Sequence, residues 1–134
     1  MTRLVLVLAL AACGKSRLAA SLEDRLAAEG VTATVRCKGT TCTATDAATG
    51  VEFAIDVAGT EWHPHATIVD TRQLSRDISQ QRRGWAAVGC ERDVIVLPKD
   101  ASTTCVIWDK GPRLLAVTAT GEPAHPLRWE IVRR

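Results

Sequence analysis

Two stretches of the sequence are closely similar, Thr40-Thr41-Cys42-Thr43-Ala44-Thr45-Asp46 and Thr103-Thr104-Cys105-Val106-Ile107-Trp108-Asp109. Each places Asp four residues after the cysteine of a Thr-Thr-Cys triplet, and Asp favours a turn because its side chain bonds the backbone that follows. Both stretches belong to a longer pattern that occurs twice in the same order. We interpret this pattern as an internal repeat.

The repeated pattern has five parts: a helix ended by Gly, a strand ending in Cys, the Thr-Thr-Cys strand, a long strand, and a His-Pro step before a strand ending in Ile-Val. The first copy passes through Gly30, Cys37, Cys42, residues 50–61 and His63, and the second through Gly84, Cys90, Cys105, residues 111–122 and His125. The long strands align from Gly to Glu without a gap. We therefore predict two αβ repeats, residues 17–69 and 70–134.

Local patterns define the elements of each repeat. Leu18, Leu22 and Leu26 recur every four residues, which indicates one apolar stripe on a helix. The second helix is predicted to begin at Asp70, with Gln73 in a capping-box variant and Val69 and Leu74 as a hydrophobic staple. Gly30 and Gly84 occupy positions where a helix favours a left-handed residue after its last turn.

The strand pattern predicts the fold class. Val51, Phe53, Ile55 and Val57 alternate with more polar residues, which is typical of antiparallel strands with one buried face. We predict an α+β protein of two tandem helix-then-antiparallel-strands repeats. Their helices would pack on one face of a mostly antiparallel sheet, and each repeat would have one disulfide.

The five cysteines are an odd number, so one needs a separate explanation in an exported protein. If Cys13 is set aside, four remain, and three connectivities are open to them. Proximity in the chain favours Cys37 with Cys42 and Cys90 with Cys105. A zinc site is the alternative, but zinc knuckles favour a Cys-x-x-Cys spacing that these pairs lack.

The N-terminal stretch from Leu8 to Ser16, LALAACGKS, permits two interpretations. Gly-Lys-Ser is the end of a phosphate-binding loop, but the loop also needs a glycine where this chain has Ala9. The positive Arg3, the uncharged apolar residues 4–12 and Leu10-Ala11-Ala12-Cys13 resemble the start and lipobox of a bacterial lipoprotein. That resemblance implies a signal peptide over residues 1–12, a lipidated Cys13 and a short tether over 13–16. A secretory signal cut nearby is the alternative.

Composition agrees with an exported, lipid-anchored protein. The chain has 134 residues and a net charge of +2, which favours neither nucleic acid nor a polybasic membrane patch. No later apolar run is long enough to span a bilayer. We expect the protein in the bacterial cell envelope. The protein would be anchored in the outer membrane if the cell has one, and otherwise in the outer leaflet of the plasma membrane.

The helix followed by strands and a Cys-to-Cys bridge resembles the small two-cysteine lipoprotein domains of unknown function in actinobacterial cell envelopes. The likeness is best over residues 74–132, although that family has Pro after its first cysteine where this chain has Glu91. The tandem architecture is also similar to that of the secreted β-lactamase inhibitor proteins. That second likeness is architectural only and transfers no residues. We predict a membrane-anchored, non-catalytic binding or interaction module of the cell envelope.

One difference between the halves suggests a binding surface. If the cysteines face the helices, alternation sends a set of apolar residues outward in the second half: Trp85, Val106, Trp108, Leu115 and Val117. The first half has mostly threonines there. A large apolar outward face often marks a partner site, and we expect a protein partner or a second copy on it. The alternatives are that these residues are core, or that residues 93–98 cover the tryptophans.

The sequence offers little for catalysis, so we predict no enzyme activity and no cofactor. His63, His65 and His125 are the only histidines, and no neighbouring carboxylate or cysteine completes a metal site around them. An envelope metal-binding protein or enzyme that uses these histidines is the alternative function. The simpler interpretation places them in loops that lead into strands.

Overall fold

The computed structural model describes residues 16–132, so Cys13 and the predicted signal peptide lie outside the described part of the chain. Contacts divide the chain into two compact units, Met1–His63 and Pro64–Arg134. Each unit contains a helix, antiparallel strands and one disulfide, which confirms the predicted α+β class. Neither helix in residues 16–132 has the length and apolar character needed to cross a membrane.

The first unit is a helix packed on a four-stranded sheet in the order β1-β2-β3-β4. Its elements are α1 Arg17–Ala28, β1 Ala33–Lys38, β2 Thr41–Asp46, β3 Glu52–Ala58 and β4 Glu61–Pro64. Helix α1 begins at Ser16, whose hydroxyl accepts the Ala19 N–H, and it buries Leu22 and Leu26. Gly30 follows it with φ of 90°, as the left-handed position predicted.

The second unit contains helix α2 Thr71–Arg82 and two sheets. Its strands are β5 Ala66–Asp70, β6 Ala87–Gly89, β7 Val94–Pro98, β8 Ser102–Trp108, β9 Pro112–Ala119 and β10 Leu127–Ile131. One sheet has the order β10-β9-β8-β6, and the other pairs β5 with β7. Because β5 pairs with β7, the contacts divide the chain before β5, whereas the predicted repeat boundary follows it.

The internal repeat is visible in the topology. The order β1-β2-β3-β4 in the first unit corresponds to β6-β8-β9-β10 in the second, with β7 inserted between β6 and β8. The disulfide joins equivalent strands in both: Cys37 with Cys42, and Cys90 with Cys105. Both predicted pairings are confirmed. Disulfides persist in oxidising compartments, so the two bridges indicate an extracytoplasmic protein.

Helix α2 begins as predicted and ends one residue early. Asp70 is the N-cap, and its carboxylate accepts the Arg72 N–H at 2.9 Å. Gln73 does not complete a capping box, because its amide donates to Asp77 instead. The left-handed residue after the helix is Arg83, with φ of 53°, and not Gly84. The prediction for Gly84 is therefore wrong by one position.

Two helix serines hold the free edge of β6. The Ser79 hydroxyl accepts the Ala86 N–H at 3.1 Å and donates to its carbonyl, and the Ser75 hydroxyl accepts the Val88 N–H at 2.9 Å. The serines are one helical turn apart, and the backbone groups are two residues apart along a strand. Side chains of α2 thus supply the partners that a neighbouring strand would give. In the first unit, the Glu23 carboxylate accepts the Val35 N–H at 2.8 Å.

Candidate functional site

The sheet of the second unit has one face against its helix side and one face toward solvent. Register places Ala87, Trp108 and Pro112 side by side, and Gly89, Val106 and Leu114 beside them. We call this solvent side the outer face: Trp85, Ala87, Gly89, Val106, Trp108, Leu114 and Ala116. Trp85 is 75% exposed and Trp108 44%. These are high values for indoles, and the partner contact predicted for the two tryptophans stays a prediction.

Leu115 and Val117 do not belong to the outer face. Both are fully buried in the core of the second unit, and the prediction that they point outward is wrong. Leu115 is the cross-strand partner of Cys105, and residues opposite each other in a sheet share a face. Leu114 takes the outward position and is 39% exposed.

The error has a physical reason. Strand β9 has apolar residues at successive positions, so period-two alternation gives no sign of which set is buried. Aligning Gly50 with Gly111 equates Ile55 with Ala116. The disulfides give a different equivalence, because Ile55 pairs with Cys42 and Leu115 pairs with Cys105.

The outer face is shaped around the Trp108 indole. A Cβ atom added at Gly89 would lie 2.9 Å from Trp108 Cζ3 and 3.3 Å from its Cη2, so the indole rests directly on the Gly89 backbone. Trp85 lies two residues before Ala87, the cross-strand partner of Trp108. Strand alternation therefore brings the two indoles to the same side of the sheet. Residues 93–98 do not cover them, because β7 pairs with β5.

A charged cluster lies where β8 ends, at the residues that follow Trp108. The Asp109 carboxylate accepts hydrogen bonds from the Arg113 guanidinium and from the Lys110 backbone N–H. It also forms an ion pair with Arg82, at 2.7 Å. Hydrogen bonds from the Arg113 side chain, then from the Lys110 N–H and the Arg82 side chain, hold the Asp109 pKa well below its usual range. The cluster joins the end of α2 to the turn between β8 and β9. The sequence interpretation gave Asp109 only a turn role and missed this bridge.

The first unit has a different outer face. Register places Thr34 beside Thr45, Thr43 beside Ala54, and Thr41 beside Asp56. These small and polar side chains replace the indoles of the second unit, as the comparison of the halves predicted. Asp46 has the turn role that was predicted for it: its carboxylate accepts the Ala48 N–H at 3.2 Å and the Thr49 hydroxyl at 2.8 Å.

Contacts are described for two of the three histidines. His63 Nε2 is 3.8 Å from the Glu61 carboxylate, with both side chains exposed. His125 contributes its carbonyl to a hydrogen bond from the Thr120 hydroxyl. Among residues 16–132, no group of three or more His, Cys, Asp or Glu side chains could hold a metal ion. The alternative function based on these histidines stays a prediction.

The second unit also contains an open groove that the sequence did not reveal. It has a volume of about 640 Å³ and lies where the connection between β9 and β10 meets the end of α2. Its lining is mainly polar: Gln81, Asp100, Thr118, Ala119, Thr120, Glu122, His125, Leu127, Arg128 and Trp129. Asp100 has φ of 68°, a conformation that Asp tolerates better than most residues.

No known protein family, curated protein or solved structure matches this chain. The arguments about its function therefore come from its own residues. The described residues form two helix-then-strands units with one disulfide each. This is the general architecture that the resemblance to two-cysteine lipoprotein domains implied. The lipobox interpretation falls on Cys13, outside those residues.

Proposed function

We propose that the protein is a lipid-anchored bacterial envelope lipoprotein that acts as a non-catalytic binding module. An acylated Cys13 would hold it at a membrane, and the outer face of the second unit would be its binding surface. The two disulfides support an extracytoplasmic location. The lipobox-like stretch Leu10-Ala11-Ala12-Cys13 supports the anchor.

One observation carries the binding role. Trp85 and Trp108 lie on the same side of the sheet and remain exposed, although burying an indole is favourable by roughly 25 cal/mol per Å² of apolar surface. Trp is also enriched among the residues that dominate binding energies. The equivalent face of the first unit has threonines instead. The difference is a gain of apolar surface in one copy of the repeat.

The binding role is tested by removing both indoles. Trp85→Ala combined with Trp108→Ala should remain folded, because neither indole belongs to the buried core, although the Trp108 contact with Gly89 is lost. The variant should lose the envelope material that the wild-type protein retains in a pull-down. Thr45→Ala, at the position equivalent to Trp108, is the matched control and should retain it. Equal retention by all three proteins would contradict the proposed binding surface.

A further inference from the structure

The charges around the two tryptophans are unbalanced. Where α2 ends and β8 turns into β9, four cationic side chains accompany one carboxylate, that of Asp109. We call this region the cationic tip: Arg82, Arg83, Trp85, Trp108, Lys110 and Arg113. The ion pairs of Asp109 with Arg82 and Arg113 hold its two sides together.

Two of the cations have no acidic partner within residues 16–132. Arg82 and Arg113 are paired with Asp109, whereas the exposed side chains of Arg83 and Lys110 form no ion pair there. The tip therefore combines an excess of positive charge with two exposed indoles. On the rest of the outer sheet face, Arg128 and Glu130 on β10 have opposite charges that offset each other.

This combination fits the headgroup region of a bilayer. Indoles favour the interface between water and hydrocarbon, because their rings are apolar and their N–H groups remain hydrogen-bonded. Long cationic side chains reach from such an interface to phosphate groups. A bilayer surface also needs no complementary shape, so it can be contacted by an exposed side chain such as Trp85.

We propose that the cationic tip docks on a membrane surface that contains anionic phospholipid. The proposal rests on the proposed function, since an acyl chain on Cys13 would hold the second unit near such a surface. It names the bilayer, and not a protein, as the occupant of the cationic tip. The anchor and the tip would then be two separate contacts with lipid.

Vesicle partitioning tests the proposal. The full chain with Cys13→Ser, which cannot be acylated at that site, is mixed with phosphatidylcholine vesicles with and without phosphatidylglycerol, and the bound fraction is measured by sedimentation. Each basic residue near an anionic surface contributes enough that its loss should lower partitioning about fivefold. We expect Lys110→Ser to show that loss on anionic vesicles alone. Trp85→Ala should lower partitioning on both vesicles.

Arg83→Gly separates docking from folding. Arg83 has a left-handed backbone that glycine adopts without cost, so this variant should be at least as stable as the wild type. It should nevertheless partition about fivefold less onto anionic vesicles. Arg36→Ser, on the outer face of the first unit, makes the same charge change and should leave partitioning unchanged. Because residues 1–12 are identical in all variants, differences between them report the tip.

The outcomes are distinct for the two proposals. Equal partitioning of the Cys13→Ser parent protein onto both vesicles, or equal losses when Arg36→Ser and Lys110→Ser are added to it, would overturn the membrane proposal. If the tip variants bind vesicles normally but a photo-crosslinker at position 108 captures a protein or a second copy, the tip has another partner and the proposed function stands. If the crosslinker at position 108 captures nothing and the protein does not bind the vesicles, both proposals fail.

Discussion

At the scale of single residues, Gly89 and Trp108 determine the outer face together. Because Gly89 has no side chain, the Trp108 indole of the neighbouring strand β8 has room to lie against its backbone. The indole shields this backbone from water. Glycine inside a strand usually costs stability because it gains no packing and loses more backbone freedom. Here the position has a packing reason. The same pair holds part of the Trp108 ring against the Gly89 backbone, while 44% of the residue remains exposed.

Gly89→Ala tests this packing. The new methyl would meet Trp108 Cζ3 at 2.9 Å, so the indole should swing toward solvent. A gain of about 0.5–1 kcal/mol from replacing a strand glycine should offset much of the lost contact, and the free energy of unfolding should change little. Acrylamide quenching of tryptophan fluorescence should increase. The increase should vanish when Trp108→Phe is added, and unchanged quenching would contradict the contact.

Asp109 makes the stability of the second unit depend on acid. Its folded pKa lies below the unfolded value, so its stabilising effect is complete above about pH 4 and is lost as the pH falls through the folded pKa. Asp109→Asn should therefore lower the unfolding temperature at pH 7, and the difference from the wild type should narrow at pH 3. Asp24→Asn, at an exposed position of α1, makes the same substitution outside the ion cluster and is the control. A difference that widens in acid would contradict the ion cluster.

At the scale of elements, the helix is part of the hydrogen bonding of the sheet. Ser75 of α2 accepts the Val88 N–H on β6, a strand of only three residues, and Ser79 bonds the backbone of Ala86, the residue just before it. Their hydroxyls leave fewer bonding groups exposed on this edge strand, and exposed edges can pair with other chains. The serines therefore fix the position of β6, and with it the direction of the Trp85 side chain.

Removing the Ser79 hydroxyl should be costly. Ser79→Ala leaves the N–H and carbonyl of buried Ala86 without their partner, and an unsatisfied buried group costs about 1–3 kcal/mol. Chemical denaturation should show this loss in the free energy of unfolding. Ser21→Ala, on the exposed side of α1, shares the change in helix propensity and should not be destabilised. Equal effects of the two substitutions would refute the role of Ser79.

The two disulfides should contribute unequally. Replacing Cys37 and Cys42 with Ala opens a short loop, and replacing Cys90 and Cys105 opens a longer one, with sequence separations of 5 and 15. Loop-closure entropy gives losses of about 2 and about 3 kcal/mol for the two pairs. Denaturant unfolding of both double variants measures the order. A larger loss from the first pair would show that native-state effects outweigh chain entropy.

Several elements were predictable because their signals are local. Asp70 caps its helix by accepting the N–H of Arg72, two residues further on, and each cysteine pairs with the next cysteine in the described chain. The pairing of β5 with β7 joins Ile68 to Val96, a contact across α2 and β6 that no local pattern indicates. The face of Leu115 failed because both faces of β9 are apolar. The hydrogen bonds of Ser79 with the Ala86 backbone were missed, because the sequence of a helix does not show whether a strand edge lies beside one of its serines.

At the scale of the whole molecule, the repeat provides two versions of one design. Both units arrange their four equivalent strands in the same order and bridge the same two strands by a disulfide. Only the second has tryptophans on its outer face. We infer that the architecture supports the fold in both copies, while the outer face of the second is the part that would bind.

The anchor is tested on the full chain in cells. Cys13→Ser should abolish acylation and move the protein from the membrane fraction to a soluble or unprocessed form, because the thiol is the acceptor that the lipobox-like stretch implies. Metabolic labelling with a fatty acid and fractionation of the cells measure both effects. Trp108→Ala, which leaves Cys13 intact, should remain labelled. A membrane-bound and labelled Cys13→Ser protein would rule out this anchor.

The order of the bridges has a consequence for how the thiols are oxidised. Each bridge joins cysteines that are consecutive in the chain, so a chain threaded through a membrane from its N-terminus delivers Cys37 and then Cys42, and later Cys90 and then Cys105. An oxidant that couples thiols in order of arrival would form both bridges without reshuffling, provided that Cys13 does not react first. A thioether on Cys13 would remove that competitor. Lipidation of Cys13 would then also prevent it from pairing wrongly with any of the four cysteines that follow.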